Sequence, residues 1–224
     1  MFNPLGTDND ALSAEINYQI NDADLDTHPD AYDLDSDNDG LYDVAEANFG
    51  AFDTNQDGML NAGESNLTVS DNGLISLVDL SENGNQIILP FDTDLDQIFN
   101  FRDRDSDNDG LSDVVEGRNP DNDSDGVVGD GNITINDLGL AVFQSGSPFT
   151  LRSQIVDHDN DLIEDYRDHD SDNDGIFDVA EASLADNDNN GFLFSGAAFV
   201  DQFGMVQIDS NTPCLLYTSD AADE

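Results

Sequence analysis

Short acidic loops with one repeated spacing are the parts of this chain best equipped for chemistry. The clearest reads DSDNDGLYDVAE at residues 35–46, and near copies stand at 105–116 and 170–181. In each loop, carboxylates fall at positions 1, 3, 5, 9 and 12, and glycine stands at position 6. Calcium takes about 6–8 oxygen ligands, and a 1-3-5-7-9-12 spacing wraps a chain around it, with a main-chain carbonyl at position 7. The spacing therefore predicts several calcium ions as cofactors.

Electrostatic repulsion supports the same interpretation. Two carboxylates about 4 Å apart repel each other by about 1 kcal/mol even in bulk water, and by more where water is partly excluded. Several carboxylates that converge on one point therefore need a cation. An isolated DxDxDG run is equally well explained as a solvated acidic linker, but six loops in one register favour metal binding.

These three loops are called the second loops, because a companion loop precedes each of them. Glycine at position 6 permits the sharp turn that the spacing requires, so the second loops are the sites predicted first. The predicted ligands, with a main-chain carbonyl at position 7, are Asp35, Asp37, Asp39, Leu41, Asp43 and Glu46, then Asp105, Asp107, Asp109, Leu111, Asp113 and Glu116, then Asp170, Asp172, Asp174, Ile176, Asp178 and Glu181.

A single residue separates each companion first loop from the second loop that follows it. Their position 6 is Thr27, Gln97 or Leu162 in place of glycine, so we expect them to turn less tightly and to bind more weakly. The predicted side-chain ligands are Asp22, Asp24, Asp26, Asp30 and Asp33, then Asp92, Asp94, Asp96, Asn100 and Asp103, then Asp157, Asp159, Asp161, Asp165 and Asp168.

A third loop follows each pair and becomes less complete from the first copy to the last. The copy at 186–191 leads to Phe194 and Ala197, which offer no side-chain oxygen, so it is the weakest candidate. The predicted ligands in the other two are Asp53, Asn55, Asp57, Met59 (carbonyl), Asn61 and Glu64, and then Asp121, Asp123 and Asp125.

Self-comparison places the loops in three copies of one unit. Residues 22–46, 92–116 and 157–181, here called cassettes 1, 2 and 3, align without gaps. This register predicts tandem duplication, and the adapter-like tail described below leads us to expect a window from a longer protein. The predicted divisions are 1–21, the end of a preceding repeat or linker; 22–91, 92–156 and 157–213, three repeat units of which the last is truncated; and 214–224, a non-native tail that resembles a translated sequencing adapter.

The composition excludes several classes of protein. The 224 residues include 51 acidic and 5 basic ones, which gives a formal net charge of −46. Such a chain repels nucleic-acid phosphates and anionic lipid surfaces, and it contains no apolar run of the about 20 residues that a spanning helix needs. About a quarter of the chain is Leu, Ile, Val or Phe, which is too much for simple disorder. Neutralisation of the carboxylates by a cation would let this apolar material pack.

The elements that must position the loops are short. The inserts 67–91, 133–156 and 192–208 are rich in β-branched and aromatic residues broken by Gly, Asn and Ser, which predicts short strands and turns. The sequence VAEA at 44–47 predicts a helical turn after the second loop. We therefore expect an irregular calcium-stabilised tandem repeat, mostly loop with short helical turns and short strands and no single large hydrophobic core. Each insert is expected to be a small apolar plug that fixes one unit against the next.

The pattern D-x-D-x-D-G-[LI]-x-D-x-x-E, with its companion D-x-D loop, resembles the thrombospondin type 3 repeats of bacterial secreted and surface proteins. It departs from an EF-hand because apolar residues stand at positions 7 and 10, as Leu41 and Val44 do. Successive loops also abut, since Asp33 closes one and Asp35 opens the next. The resemblance implies a chain wrapped around a string of calcium ions, with little regular secondary structure, in an extracellular or cell-surface protein.

The leading functional hypothesis is a calcium-binding structural repeat array that acts as a stalk, spacer or adhesive segment of a larger secreted or cell-surface protein. Another extracellular protein or a glycan is the open choice of partner. Two alternatives are a dockerin-like interaction module, suggested by residues 125–138, and an accessory region of an extracellular enzyme whose catalytic domain lies outside this window. No catalytic triad or phosphate-binding loop is visible, so enzymatic activity is not expected. His158 and His169 are expected to be solvated.

Overall fold

The computed structural model describes residues 21–71, 73–77, 90–129, 133–143, 156–194, 199–209 and 212–213. These residues are mostly loop, with few short helices, short strands and no large core, as the sequence predicts. The predicted segments 1–21, except Asn21, and 214–224 lie outside them. The α-helices are α1 (Asp43–Glu46), α2 (Asp113–Glu116) and α3 (Asp178–Glu181), and the 3-10 helices are Asp30–Tyr32, Gly50–Phe52, Glu64–Asn66, Asn100–Arg102 and Asp165–Arg167.

The same succession of elements recurs in the three cassettes. A 3-10 turn ends each first loop and a four-residue helix ends each second loop. Each helix begins with an Asp, whose charge favours the helix N-terminus. The residue two positions after each helix has a positive φ, namely Asn48 at 63°, Arg118 at 57° and Ser183 at 61°. A left-handed residue at that place ends a helix, so the helical turns stay short.

The strands form small hairpins in the inserts, where the sequence predicts short strands. Strand β1 (Ile133–Ile135) pairs antiparallel with β2 (Ala141–Phe143), and β3 (Phe199–Val200) pairs antiparallel with β4 (Val206–Asp209). An isolated antiparallel bridge between Val69 and Ile75 stands at the matching place of the first insert. Strand β5 (Thr212–Pro213) joins the edge of β4.

Apolar packing is divided among small clusters. Val114 of α2 packs with Val128 of a third loop and Ala141 of β2, and Val179, Leu193 and Val206 form the matching cluster one unit later. A further cluster crosses a boundary between units, because Leu140 packs against Tyr42 and Ala45 of cassette 1. The described part of the second insert therefore packs against cassette 1 through Leu140. None of the helices among the described residues has the length and apolarity to cross a bilayer.

Candidate metal centres

The acidic loops share a hydrogen-bonding scaffold in which the position-5 side chain accepts a bond from the N–H of position 7. In the second loop of cassette 1, the Leu41 N–H donates to Asp39 Oδ1 at 2.6 Å. Such turns are a property of Asp and Asn side chains, and here they point alternate carboxylates toward the inside of the loop. The same bond joins Leu111 to Asp109, Ile176 to Asp174, His28 to Asp26, Ile98 to Asp96, Ile163 to Asp161, Met59 to Asp57, Val127 to Asp125 and Phe192 to Asn190.

The position-1 carboxylate accepts a hydrogen bond from the N–H of position 6, which closes the turn. Gly58 donates to Asp53 Oδ2 at 2.9 Å, and Leu162 donates to Asp157 Oδ2 at 3.2 Å. The bond at Leu162 shows that this closure does not require glycine at position 6. The other bonds of this type run from Gly40 to Asp35, Gly110 to Asp105, Gly126 to Asp121, Gly175 to Asp170 and Gly191 to Asp186.

Position 6 is left-handed in the first loops as well as in the second loops. Thr27, Gln97 and Leu162 have φ values of 86°, 85° and 81°, against 89° at Gly40. The expectation that the first loops turn less tightly is therefore wrong. A left-handed residue other than glycine costs roughly 1–2 kcal/mol, and a β-branched one such as Thr27 is an outlier. The first loops hold this strain for the same carboxylate geometry.

Carboxylates converge as the metal hypothesis requires. In each of four loops, one oxygen from each of positions 1, 3 and 5 lies within 4.8 Å of the other two. Three oxygens this close together can bind one cation, because they leave room for a shared ion at ordinary calcium–oxygen distances. The four groups are Asp22, Asp24 and Asp26; Asp35, Asp37 and Asp39; Asp92, Asp94 and Asp96; and Asp105, Asp107 and Asp109.

Many of these oxygens are buried without a hydrogen-bond partner. Glu46 and Glu116 are 0% and 7% exposed, and neither oxygen of either carboxylate has a partner. Buried polar atoms in folded proteins are nearly always paired, so a set of unpartnered carboxylate oxygens points to a cation. The predicted ligands with at least one such oxygen also include Asp22, Asp26, Asp33, Asp37, Asp39, Asp92, Asp94, Asp96, Asp107, Asp109, Asp157 and Glu181.

The electrostatics of the protein without metal agree with this. Burial raises the pKa of Asp24 to about 8 and that of Asp39 to about 7. The pKa of Glu46 is raised well above its ordinary value by burial and then by the charges of Asp37 and Asp39. These carboxyls favour the neutral form unless a positive charge compensates their burial and mutual repulsion.

Position 9 is held by position 2 of its own loop. In the second loop of cassette 1, the Ser36 N–H donates to Asp43 Oδ1 at 2.8 Å and the Ser36 hydroxyl donates to Oδ2 at 2.7 Å. In the companion loop, the Ala23 N–H donates to Asp30 Oδ1 at 2.9 Å. Sequence reasoning missed the serine, although it stands at position 2 of all three second loops. The matching pairs are Ser106 with Asp113, Ser171 with Asp178, Thr93 with Asn100 and His158 with Asp165.

The third loops are more exposed, and the first of them closes differently. Glu64 at position 12 accepts bonds from the Asn61 N–H at 2.7 Å and the Asn55 N–H at 3.2 Å. These bonds lower the pKa of Glu64 below its ordinary value. Its carboxylate is therefore already occupied by main-chain donors. In the next third loop, Asp121 accepts from Asp125 and Gly126, and residues 130–132 lie outside the described residues.

The three second loops differ in what covers them. Leu41 and Leu111 are 0% and 2% exposed, whereas Ile176 is 50% exposed. A Cβ at Gly110 would lie 2.5 Å from Leu193 Cδ2, but a Cβ at Gly175 would meet nothing within 4 Å. The next unit therefore covers the first two loops, and no such cover lies over Gly175 among the described residues.

Side chains of the second and third units contact main-chain carbonyls of the unit before them. Arg104 Nε donates to the carbonyl of Asp37 at 3.1 Å, and His169 Nε2 lies 3.0 Å from the carbonyl of Asp107. His169 is half-buried with its ring 4.5 Å from that of Phe192, and burial lowers its pKa. The expectation that His169 is solvated is wrong, whereas His158 is exposed as expected.

Comparison with known proteins places this chain beside none of them. No family model, no curated protein and no solved structure matches it.

Proposed function

We propose that this chain is a calcium-binding structural array that serves as a stalk, spacer or adhesive segment of a larger secreted or cell-surface protein. The observation that carries the proposal is the set of buried, unpartnered carboxylate oxygens, above all both oxygens of Glu46 and of Glu116. A cation at each group supplies the missing partner.

The donor set favours calcium among the common ions. The converging atoms are carboxylate oxygens, which suit hard cations. Zinc prefers nitrogen and sulfur ligands, and the four loop groups named above consist of Asp. Magnesium demands a smaller octahedral site at about 2.0–2.1 Å and keeps several waters, so a loop that offers five or six protein oxygens suits calcium better.

Calcium would supply stability that the small apolar clusters do not. A site with a tenfold excess of free ion over its dissociation constant stabilises the folded state by roughly 1.4 kcal/mol. Several sites together would contribute as much as a domain core. Extracellular modules bind calcium at about 10⁻⁴–10⁻³ M, and weak sites of this kind are filled only where the ion is abundant. This supports a place outside the cell or at its surface.

The dockerin-like alternative gains no support from the described residues. A dockerin-like module needs acidic loops that are each followed by an amphipathic helix. Within 125–138 the described element is strand β1, and helices α1 to α3 have four residues each.

Calorimetric titration of the purified chain with calcium, combined with circular dichroism and small-angle scattering, tests the proposal. We expect uptake of several ions at up to millimolar calcium, and a compact particle that expands when a chelator is added. Glu46→Gln should remove one ion or weaken one site at least about tenfold. The matched control is Glu164→Gln, because Glu164 pairs with Arg167 and lies outside the predicted ligands. No calcium uptake, with unchanged spectra and dimensions, would overturn the proposal.

A further inference from the structure

A carboxylate group spans the boundary between cassettes 1 and 2. One oxygen each from Asp39, Glu46 and Asp113 lies within 4.8 Å of the other two. All three residues are 0% exposed. Asp39 and Glu46 are positions 5 and 12 of one second loop, whereas Asp113 is position 9 of the second loop of the following cassette.

The free oxygens of this group belong to the preceding cassette. Both oxygens of Glu46 and the Oδ2 of Asp39 are buried without a partner. Asp113 accepts one bond on each oxygen, from the N–H and the hydroxyl of Ser106. A carboxylate has about four lone-pair positions, so Asp113 keeps acceptor capacity for a metal ion while Ser106 fixes its orientation.

Direct contacts hold the second cassette in this place. The Val128 N–H donates to the carbonyl of Asn38 at 2.8 Å, and Asn119 Nδ2 donates to the carbonyl of Asp39 at 3.2 Å. Together with the bond from Arg104 to Asp37, these two bonds hold the main chain of the loop at three consecutive residues. These three hydrogen bonds between the units therefore fix the position of Asp113 beside Asp39.

We propose that Asp113 is a shared ligand, so that the calcium ion of the second loop of cassette 1 also binds cassette 2. This inference rests on the proposed function, and it adds that metal binding in one unit depends on a side chain of the next. The ion would then both fill the loop and hold the boundary together.

The second boundary has matching docking contacts and offers carboxylates at the matching positions of the sequence. The Leu193 N–H donates to the carbonyl of Asn108 at 2.9 Å, which matches the bond from Val128 to Asn38. The counterparts of the bridging group are Asp109, Glu116 and Asp178. His169 Nε2 lies 3.0 Å from the carbonyl of Asp107, which matches the bond from Arg104 to Asp37.

Site-resolved calcium titration by amide NMR of the whole chain tests the bridge. Gly40, Gly110 and Gly175 donate within their own second loops, so each amide reports the filling of one loop. Asp113→Asn should raise the calcium midpoint at Gly110, its own loop, and also at Gly40 by at least about tenfold. Asp178→Asn should likewise affect Gly175 and Gly110 but not Gly40.

Asp43→Asn is the matched control. Asp43 makes the same two bonds to a serine as Asp113 does, and no earlier cassette stands before it among the described residues. It should change only Gly40. The Val128 amide serves as a reporter of docking between the units, and it should keep its position in calcium-saturated Asp113→Asn.

The outcomes separate the bridge from the function. A midpoint change at Gly110 alone in Asp113→Asn would overturn the bridge and leave the array intact, and so would a change at Gly40 that accompanies loss of the Val128 docking signal. Absence of any calcium response at all three glycines of the unchanged chain would overturn the proposed function itself.

Discussion

The Nε of Arg104 donates a hydrogen bond of 3.1 Å to the main-chain carbonyl of Asp37, which lies 67 residues earlier in the chain. Arg104 stands between the two loops of its cassette, and its guanidinium carbon lies 4.3 Å from the ring centre of Phe203. His169 makes the matching contact to Asp107 one unit later. The residue between the two loops of a cassette thus also binds that cassette to the preceding one.

Replacement of Arg104 should weaken the contact between the first two units and lower the free energy of unfolding. Arg104 is 7% exposed, so Arg104→Ala removes a buried charge-assisted hydrogen bond and a cation–π contact, for a loss of about 2–4 kcal/mol in the free energy of unfolding. Chemical denaturation in saturating calcium measures the loss. Glu164→Gln is the control, because it removes only the local, partly exposed ion pair with Arg167, and its loss should stay below about 1 kcal/mol. Equal losses in the two variants would contradict a fastening role.

Alanine at position 6 should be tolerated differently in two second loops of equal backbone geometry. Gly110 and Gly175 have φ values of 91° and 90°, so the conformational cost of alanine is the same in both. Only Gly110 is pressed against Leu193. We expect Gly110→Ala to be more destabilising than Gly175→Ala by about 1–3 kcal/mol, as for overpacking. Thermal unfolding in calcium compares them, and identical shifts would mean that Leu193 does not cover Gly110 in solution.

Glycine at position 6 of a first loop should relieve strain. Thr27 is exposed and has a φ of 86°, so Thr27→Gly should stabilise the calcium-bound chain by roughly 1 kcal/mol. Ala23→Gly in the same loop is the control, because Ala23 is not among the residues with positive φ and glycine there should destabilise by up to about 1 kcal/mol. The free energy of unfolding in calcium is the measurement. Destabilisation by Thr27→Gly would show that the left-handed turn is not strained.

The stability of the chelated protein should fall as the pH rises from about 4 to about 7. Burial raises the pKa of Asp39 and of Asp43 in the folded state from 3.8 to about 7. Within that window the folded chain binds more protons than the unfolded chain, so a rise in pH favours unfolding. Calcium binding has the opposite dependence, because protons compete for the same oxygens. Denaturation in chelator and calorimetric titration in calcium, each at pH 5.5 and 7.5, measure the two trends. A chelated protein that is equally stable at both pH values would contradict the raised pKa values.

Local geometry was predictable from the sequence because its causes are local. The hydrogen bonds from Leu41 to Asp39 and from Gly58 to Asp53 join residues two and five positions apart. Alternation of Asp with other residues is therefore enough to indicate which carboxylates face inward. The short strands of the inserts followed in the same way from β-branched residues and turn residues. The left-handed Thr27 was not predictable by this route, because its side chain argues against the conformation that the loop imposes.

The sequence by itself determined the register of the acidic loops, the positions of the carboxylates and the division of the described apolar residues into small clusters, since these depend on neighbours along the chain. Only the tertiary structure decided that Asp113 meets Asp39 and Glu46, that Arg104 and His169 join the units, and that no described residue covers Gly175. The physical reason is that such contacts join residues many positions apart, and they depend on how each hairpin and third loop docks on the unit before it. The spacing of residues within a single loop therefore does not predict how the units dock.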